Sequence, residues 1–494
     1  MNLLRKPIRK LLLRIFIWTE KKSKPIVTGN LHLWHREIHI HPYIIISVNA
    51  ILIFAALIFE IGPVPTKLAG LLIFVFISFS LFIIYLKKHL TDLIKDNDAM
   101  MLLGILTSLS VLLIETIKSI STLSPFVVPL AGIIMLATLL LGYKTGLILA
   151  ISMSFLCGLL YNFKLEFLFY HLTACLVAVN LAGKIYHRQD ITIAGGKIIL
   201  INILTIITIS FLGKVPNTEL HYNILWAGVN GIILIVFVLG LLSPLEMFFS
   251  RITNIKLIEL TDFNQPLIKR LMMEAPGTYH HSIMVATLAS RAAEAVEANA
   301  LLARAGAFYH DIGKLVKPEY FIENQSQDNP HDNINPSMSG LVVTAHVKEG
   351  VNLAHKSNLD KPIIDMIEQH HGTSLIHMFY KKALENVDNA EEARFRYPGP
   401  KPKTKESAIL MLADSCEAAL RMSEKPSASR IKETVEKVIN NKFIDGQLNN
   451  SPLSLSDMHI IAESIISTLT GMHHTRTDHD SKSDQPKENG KSIY

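Results

Sequence analysis

An all-α chain in two unlike parts is predicted: a polytopic helical membrane domain, followed by an all-helical cytoplasmic domain. Three observations predict it. Apolar runs of about the length of a membrane span fill residues 43–242, most of the acidic residues and histidines come after residue 251, and no persuasive strand pattern interrupts that second half. The average over 494 residues, 49% hydrophobic with mean hydropathy +0.32, conceals this asymmetry.

The first element is a basic arm, residues 1–42. LLRKPIRKLLLRIFIW mixes basic and bulky apolar residues and reads as an interfacial amphipathic segment, because no uninterrupted apolar core or small-residue cleavage site follows it. His32, His35, His39 and His41 have Glu37 as their only acidic neighbour, so interface packing is read ahead of metal binding. Apolar runs follow at residues 43–61, 67–86, 99–117, 125–141, 145–161, 166–183, 196–213 and 223–242, about eight spans of roughly 20 residues each. The pair either side of Gly142-Tyr143-Lys144 is short and reads as a helical hairpin.

Orientation comes from the positive charges. Arg5, Lys6, Arg9, Lys10, Arg14, Lys21, Lys22 and Lys24 hold the arm in the cytoplasm, and alternation then puts Lys87, Lys88, Lys95, Lys144, Lys184, Arg188 and Arg251 on the same side. An even number of spans returns the second domain to the cytoplasm. Ionisable residues are rare within the spans, with Glu115 near one end and His171 inside the sixth, and no acidic-basic series repeats across the helices as a proton or ion path requires. The net charge of +6 arises largely from the arm and inner loops, which points to anionic lipid and away from nucleic acid polymers. Cys157, Cys175 and Cys416 are far apart and imply no disulfide framework.

A helical linker, residues 243–274, leads to the soluble domain at 275–472. Pro276-Gly277 precedes a helix whose first turn carries His280 and His281; a second helix ends at His310-Asp311, with Gly313 as its stop. His346 lies in LVVTAHVKEG, His370-His371 closes IIDMIEQHHG, and Asp414 lies within ESAILMLADSCEAALRM. The pair His310-Asp311 admits three readings: a surface patch, an acid/base couple or two ligands of one metal site. The same two letters recur at His331-Asp332 and His479-Asp480, so the dipeptide alone decides nothing. A lone helical histidine is more often packed or exposed than a ligand, because a ligand requires convergent partners. The ordered string His281, His310-Asp311, His346, His370-His371, Asp414 is what carries weight.

That string resembles the signature of the HD-domain superfamily of metal-dependent phosphohydrolases. LSPLEMFF, IKLIELTDFNQPLIKRLMMEAPGTYHHS, YHDIGK, YFIENQ, NPHDN, QHHGTSLIHMFYKKA, FRYPGPKPKTKESAI and ADSCEAALR are similar to the bacterial seven-transmembrane HD proteins, cyclic-di-AMP phosphodiesterases. Family members usually carry a large extracytoplasmic domain after the first span; here residues 62–66 occupy that position, so external sensing through such a domain is in doubt.

The resemblance implies a two-metal centre with His281, His310, Asp311, His346, His370, His371 and Asp414 as ligands, Asp311 bridging both ions, and His310, Asp311 and Lys314 as the catalytic group. Phosphodiester hydrolysis needs hydroxide at neutral pH and neutralisation of developing charge, which two ions supply. Imidazole-rich ligation favours two divalent transition ions, manganese or iron, over magnesium. Lys314 is read either as a phosphate contact or as a solvated helix-end cation. His331, in a polar loop between prolines, is a candidate substrate contact and a poor ligand. Arg396, Tyr397, Lys401 and Lys403 lie in residues 394–405, which form either a lid over phosphate and base or a solvated loop.

The implied activity is hydrolysis of cyclic di-AMP to pApA at the cytoplasmic membrane face, lowering a second messenger. The alternatives are the same centre acting on cyclic di-GMP or another nucleotide, and a non-catalytic nucleotide-binding membrane receptor. Association with a second copy of the chain is left open. From His473 onward the tail is polar and is expected to be disordered.

Overall fold

A computed structural model describes residues 42–61, 65–161, 164–214, 216–325, 328–386, 391–421 and 426–480. The basic arm with its four histidines, residues 62–64 and the end of the tail, 481–494, lie outside the described residues. The chain divides into two compact units, Met1–Arg251 and Ile252–Tyr494. Among the described residues the secondary structure is helical, with one isolated antiparallel bridge between Leu375 and Arg396.

The first unit contains helices α1 (Pro42–Ile61), α2 (Pro65–His89), the short α3 (Thr91–Lys95), α4 (Asn97–Ser119), α5 (Leu130–Leu141), α6 (Tyr143–Leu160), α7 (Leu165–Ala182), α8 (Arg188–Phe211) and α9 (Leu220–Phe248). Among the described residues, six helices are long and apolar enough to cross a bilayer; shorter apolar helices lie at Ile44–Ile58 and Pro125–Leu141. The chain is thus a multi-pass membrane protein. Phe76, Leu225 and Val236 face outward while Asn202, Asn230 and Ser154 are buried, the reverse of a water-soluble core. Small residues let helices close up: a Cβ on Gly195 would stand 2.2 Å from Ile235, and one on Gly231 would stand 2.1 Å from Ile199, across the α8–α9 contact.

The eight expected apolar runs all appear as helix, but the fourth departs from a simple span. Helix α5 has 12 residues, about 18 Å at 1.5 Å per residue, against roughly 30 Å of hydrocarbon. Its approach is a 3-10 turn, Pro125–Val127. The amide of Asn230 donates to the Phe126 and Val128 carbonyls at 3.0 and 2.6 Å, and the Tyr170 hydroxyl donates to the Phe126 carbonyl at 3.0 Å. Irregular backbone in a membrane protein persists where the protein itself supplies such partners.

The second unit contains α10 (Asn254–Leu260), α11 (Pro266–Glu274), α12 (Pro276–Ala295), α13 (Ala300–Tyr309), α14 (Pro336–Lys356), α15 (Lys361–Gln369), α16 (His377–Asn386), α17 (Lys405–Arg421), α18 (Ala428–Ile444) and α19 (Leu455–Asp480). Helix α17 is buried on every side from Ala408 through Ala413, so it runs through the middle of the core. Alanines 286, 289, 292 and 293 on α12 and 303, 305 and 307 on α13 are buried and allow these helices to approach closely. The Asn299 side chain caps α13 by accepting from the Leu302 amide at 3.0 Å.

Two boundaries differ from the sequence expectation. Of the expected linker, residues 243–248 continue α9, whereas α10 and α11 pack Leu257, Leu260, Leu267, Ile268 and Leu271 into the second unit's core, with the Tyr309 hydroxyl donating to the Leu260 carbonyl at 2.8 Å. Helix α19 runs to Asp480, so the first part of the segment expected to lack structure is helical.

Candidate metal centre

Helix α13 stops at the residues that matter. His310 is its C-terminal cap and still helical (φ −54°, ψ −34°), Asp311 leaves the helix (φ −107°, ψ 15°), and Ile312–Val316 continues as a 3-10 turn. His281 comes from α12, in its second turn, since the helix already begins at Pro276. His346 comes from α14, His370 caps α15, His371 follows before Gly372 (φ 53°), and Asp414 lies in α17. His281, His310, Asp311, His346, His370 and Asp414 are buried and His371 is half-buried.

These seven side chains form two groups. Asp311, His346, His370 and His371 offer ligand atoms within 4.8 Å of one another, and so do His281, His310 and Asp414. Asp311 faces both: its Oδ2 lies 3.2 Å from His310 Nε2 and 3.5 Å from His281 Nε2, while its Oδ1 lies 3.3 Å from His346 Nε2 and 3.7 Å from His370 Nε2. Asp414 also reaches across, with Oδ1 at 3.0 Å from His281 Nε2 and Oδ2 at 3.7 Å from His371 Nδ1. That second link was not anticipated.

The donor atoms fit divalent cations. His310, His346 and His370 each place Nδ1 against the carbonyl three residues earlier, of Ala307, Val343 and Ile367, at 2.7, 2.5 and 2.7 Å. A carbonyl only accepts, so Nδ1 carries the proton and, in the neutral ring, Nε2 presents a lone pair to the cavity. His346 Nε2 and His370 Nε2 then face each other at 3.3 Å as two acceptors. Asp311 Oδ1 and His310 Nε2 are buried without a partner in hydrogen-bond geometry. Such a convergence of lone pairs is unfavourable until a cation shares them.

The groups differ in charge. Burial lowers His370 to about 3 and holds His371 well below the usual imidazole range, so both stay neutral. Burial opposes charge on His310 as well, but Asp311 and Asp414 outweigh it and raise His310 to about 10. His281 is likewise raised, because Asp414 and Glu417 overcome its burial. Burial disfavours both aspartates as anions, yet the cations and hydrogen-bond donors around them hold each well below the ordinary carboxylate range.

The other expected site residues are placed less uniformly. Lys314 Nζ lies 2.6 Å from Asp311 Oδ2 and 2.7 Å from Glu323 Oε1, at the edge of the cluster; burial opposes its charge, and the two carboxylates raise its pKa nonetheless. It is therefore no solvated helix-end cation. Tyr397 lies 4.2 Å from the His371 ring and 6.1 Å from that of His346, walling the cluster. Arg396 is engaged by Glu392, Asp445 and the Thr373 carbonyl, and Lys401 by the Gly446 carbonyl, so both fasten residues 394–405 down; Lys403 is exposed. His331 is buried, with Nε2 at 2.9 Å from the Tyr320 carbonyl and its ring against Phe379, rather than lying in an open polar loop. His280 is exposed.

Sequence reasoning passed over Glu323, Glu417 and Arg421. The last two follow Asp414 at helical spacing within ADSCEAALR, a signal that was available, but nothing local pairs them with His281.

Residues 65–253 match the family described as 7TM receptor with intracellular HD hydrolase, and residues 278–419 match the HD domain family. The cyclic-di-AMP phosphodiesterase PgpH of Bacillus subtilis (strain 168) is 36% identical over 425 residues, covering 83% of this chain and 60% of the relative. The protein of the same name from Listeria monocytogenes serotype 1/2a (strain 10403S) is 33% identical over 419 residues, covering 83% and 58%. A crystal structure of the L. monocytogenes PgpH HD domain in complex with cyclic-di-AMP is 46% identical, with a TM-score of 0.42, covering 42% of this chain and 98% of that one. The chain thus spans about 60% of the length of the curated relatives it matches.

Proposed function

Because the chain belongs to the family of seven-transmembrane receptors with an intracellular HD hydrolase domain, we propose that it is a membrane-bound, metal-dependent phosphodiesterase that opens cyclic di-AMP to pApA. The observation that carries this reading is the pair of ligand groups spanned by Asp311 and Asp414. Asp311, His346, His370 and His371 would hold one divalent ion, and His281, His310 and Asp414 the other, with Asp311 shared. Two such ions, when bound, supply an activated nucleophile and neutralise charge building on the phosphoryl oxygens. The imidazole-rich donor set favours manganese or iron over magnesium.

The chain's own residues do the rest. The reaction adds water across one P–O3′ bond: the water oxygen joins phosphorus, the 3′-oxygen departs and takes up a proton, and the 5′-phosphate of pApA remains. Lys314 uses two of its N–H groups on Asp311 and Glu323 and keeps a third for a non-bridging phosphate oxygen. Tyr397 offers an aromatic surface beside His371 for a base, and exposed Lys403 a further phosphate contact. A cytoplasmic placement of the hydrolytic unit is supported by the positive residues at one end of the membrane unit, where Arg251 pairs with Asp96 at 2.5 Å and Arg188 donates to Ser243 at 3.2 Å.

The test is a nucleotide panel with the full chain in detergent, loaded with Mn²⁺ or Fe²⁺. Cyclic di-AMP is expected to give pApA faster than cyclic di-GMP gives its linear product. Equal rates would remove the substrate assignment, and tight binding without turnover by the metal-loaded chain would leave a nucleotide receptor.

Loading should also depend on pH, and differently for the two groups. His370 and His371 are neutral across the physiological range, so the first group binds without releasing a proton from either. His310, raised to about 10, and His281, also raised, must give up protons to bind. Affinity of the second group should therefore rise with pH, by about tenfold per unit for each proton displaced. Calorimetry in buffers of different ionisation enthalpy at pH 6 and 8 reads this; pH-independent loading of both ions contradicts it.

A further inference from the structure

His346, His370 and His310 take their ring orientation from backbone carbonyls on their own helices, but His281 does not. Its Nδ1 lies 2.6 Å from Glu417 Oε2, a carboxylate 136 positions away. Glu417 accepts only, so with its proton on Nδ1 the ring donates to Glu417 and Nε2 is turned toward Asp414 and Asp311. Glu417 is held in turn by Arg421, one turn further along α17, whose Nη2 closes on both Glu417 Oε2 and His281 Nδ1. The other arm of Arg421, Nη1, lies 3.3 Å from Glu323 Oε2. Glu323 Oε1 then takes Lys314 at 2.7 Å, and Lys314 reaches Asp311 at 2.6 Å.

The contacts close a ring: Asp311, Lys314, Glu323, Arg421, Glu417, His281 and back to Asp311. Apart from Arg421, which is 29% exposed, its charged side chains are largely withdrawn from water, at 8% exposure for Glu323 and 12% for Glu417 and Lys314. Desolvated ion pairs of this kind contribute little net stability, which shifts the explanation toward orientation. The segment carrying Glu323 is seated independently. The Asn324 side chain accepts from the Thr278 amide at 3.1 Å and donates to its hydroxyl at 2.8 Å, and the Glu323 carbonyl lies so close to Gly277 that a Cβ there would stand 1.8 Å from it.

We infer that Glu417 and Glu323, joined by Arg421, are positioning residues: Glu417 sets the His281 ring for the second ion, and Glu323 sets the Lys314 ammonium beside Asp311. The inference rests on reading the cluster as a divalent-metal centre. Neither carboxylate belongs to the two ligand groups.

The test measures Mn²⁺ binding to the full-length chain in detergent by equilibrium dialysis, alongside thermal unfolding. Glu417→Ala is expected to weaken one of two ions by about 10–100-fold, the usual effect of removing a partner behind a ligating histidine, and to leave the other ion unchanged. Glu417→Gln keeps an acceptor oxygen for Nδ1–H and is expected to restore most of that affinity. Wild-type protein that binds no Mn²⁺ would remove the metal reading itself and the inference with it. Wild-type protein that binds two ions, beside a folded Glu417→Ala chain that binds both with unchanged affinity, would overturn the inference alone. If Glu417→Ala does not fold, Arg421→Ala carries the same comparison: weakened binding of one ion supports the inference and unchanged binding of both overturns it.

Discussion

Replacing Asp311 by asparagine is expected to lower the proposed hydrolysis of cyclic di-AMP by at least about 10²–10³-fold, the loss that follows removal of one preorganised electrostatic group. The effect should be that large because the two oxygens of Asp311 face opposite groups and meet four of the histidines, Oδ2 toward His281 and His310 and Oδ1 toward His346 and His370. Asparagine keeps the shape but has one acceptor oxygen, so one of the two groups would meet an N–H donor instead. The metal-free protein should suffer too. His310 and buried Lys314 lose their shared anion, and stripping one partner from a buried charge cluster costs about 3–5 kcal/mol. Rates at saturating Mn²⁺, together with ion stoichiometry and thermal unfolding of the full chain, check this. A rate within tenfold of wild type would show that Asp311 does not join the two groups.

Gly313→Ala should be nearly as damaging without touching a charge. A Cβ at Gly313 would stand 1.9 Å from the His346 carbonyl oxygen and 2.6 Å from the Gly350 amide nitrogen, both backbone atoms of α14. No rotamer relieves that contact; α14 itself must move, and it carries His346 away from Asp311. Overpacking of this kind costs about 1–3 kcal/mol, and loss of the His346 group's ion should accompany it. Gly196→Ala is the control, since nothing lies within 4 Å of a Cβ there. Melting temperatures and Mn²⁺ stoichiometry of the two variants should diverge; equal behaviour would mean that α14 tolerates displacement.

Gly313 also illustrates how far local reading goes. Its position just past a helix predicts a stop, whereas α13 already ends at Tyr309 and Gly313 lies inside the 3-10 turn Ile312–Val316 that follows. Yet Gly313 is not among the glycines with positive φ, and what forbids a side chain is the backbone of a helix more than thirty positions later. Arg396 is similar: a basic residue in a Pro- and Gly-rich stretch reads as a phosphate contact, whereas its guanidinium is engaged by Glu392, Asp445 and the Thr373 carbonyl. Composition alone predicts an unfolded tail from His473, whereas α19, which begins at Leu455, continues to Asp480.

By itself the sequence determined the division into membrane and soluble parts, the helical class and the kinds of atom available for a metal site. These follow from quantities that add along the chain: the apolar content of each run of about twenty residues, helical periodicity, and the order of imidazole and carboxylate groups. Tertiary structure alone decided that Asp414 reaches across as Asp311 does, that Glu417 turns His281, that Asn230 satisfies the broken approach to α5, and that His331 is buried. Each of these is a meeting of residues far apart in the chain. Hydrogen bonds and ion pairs form over about 3 Å, and only the packing of whole helices brings such partners within that distance.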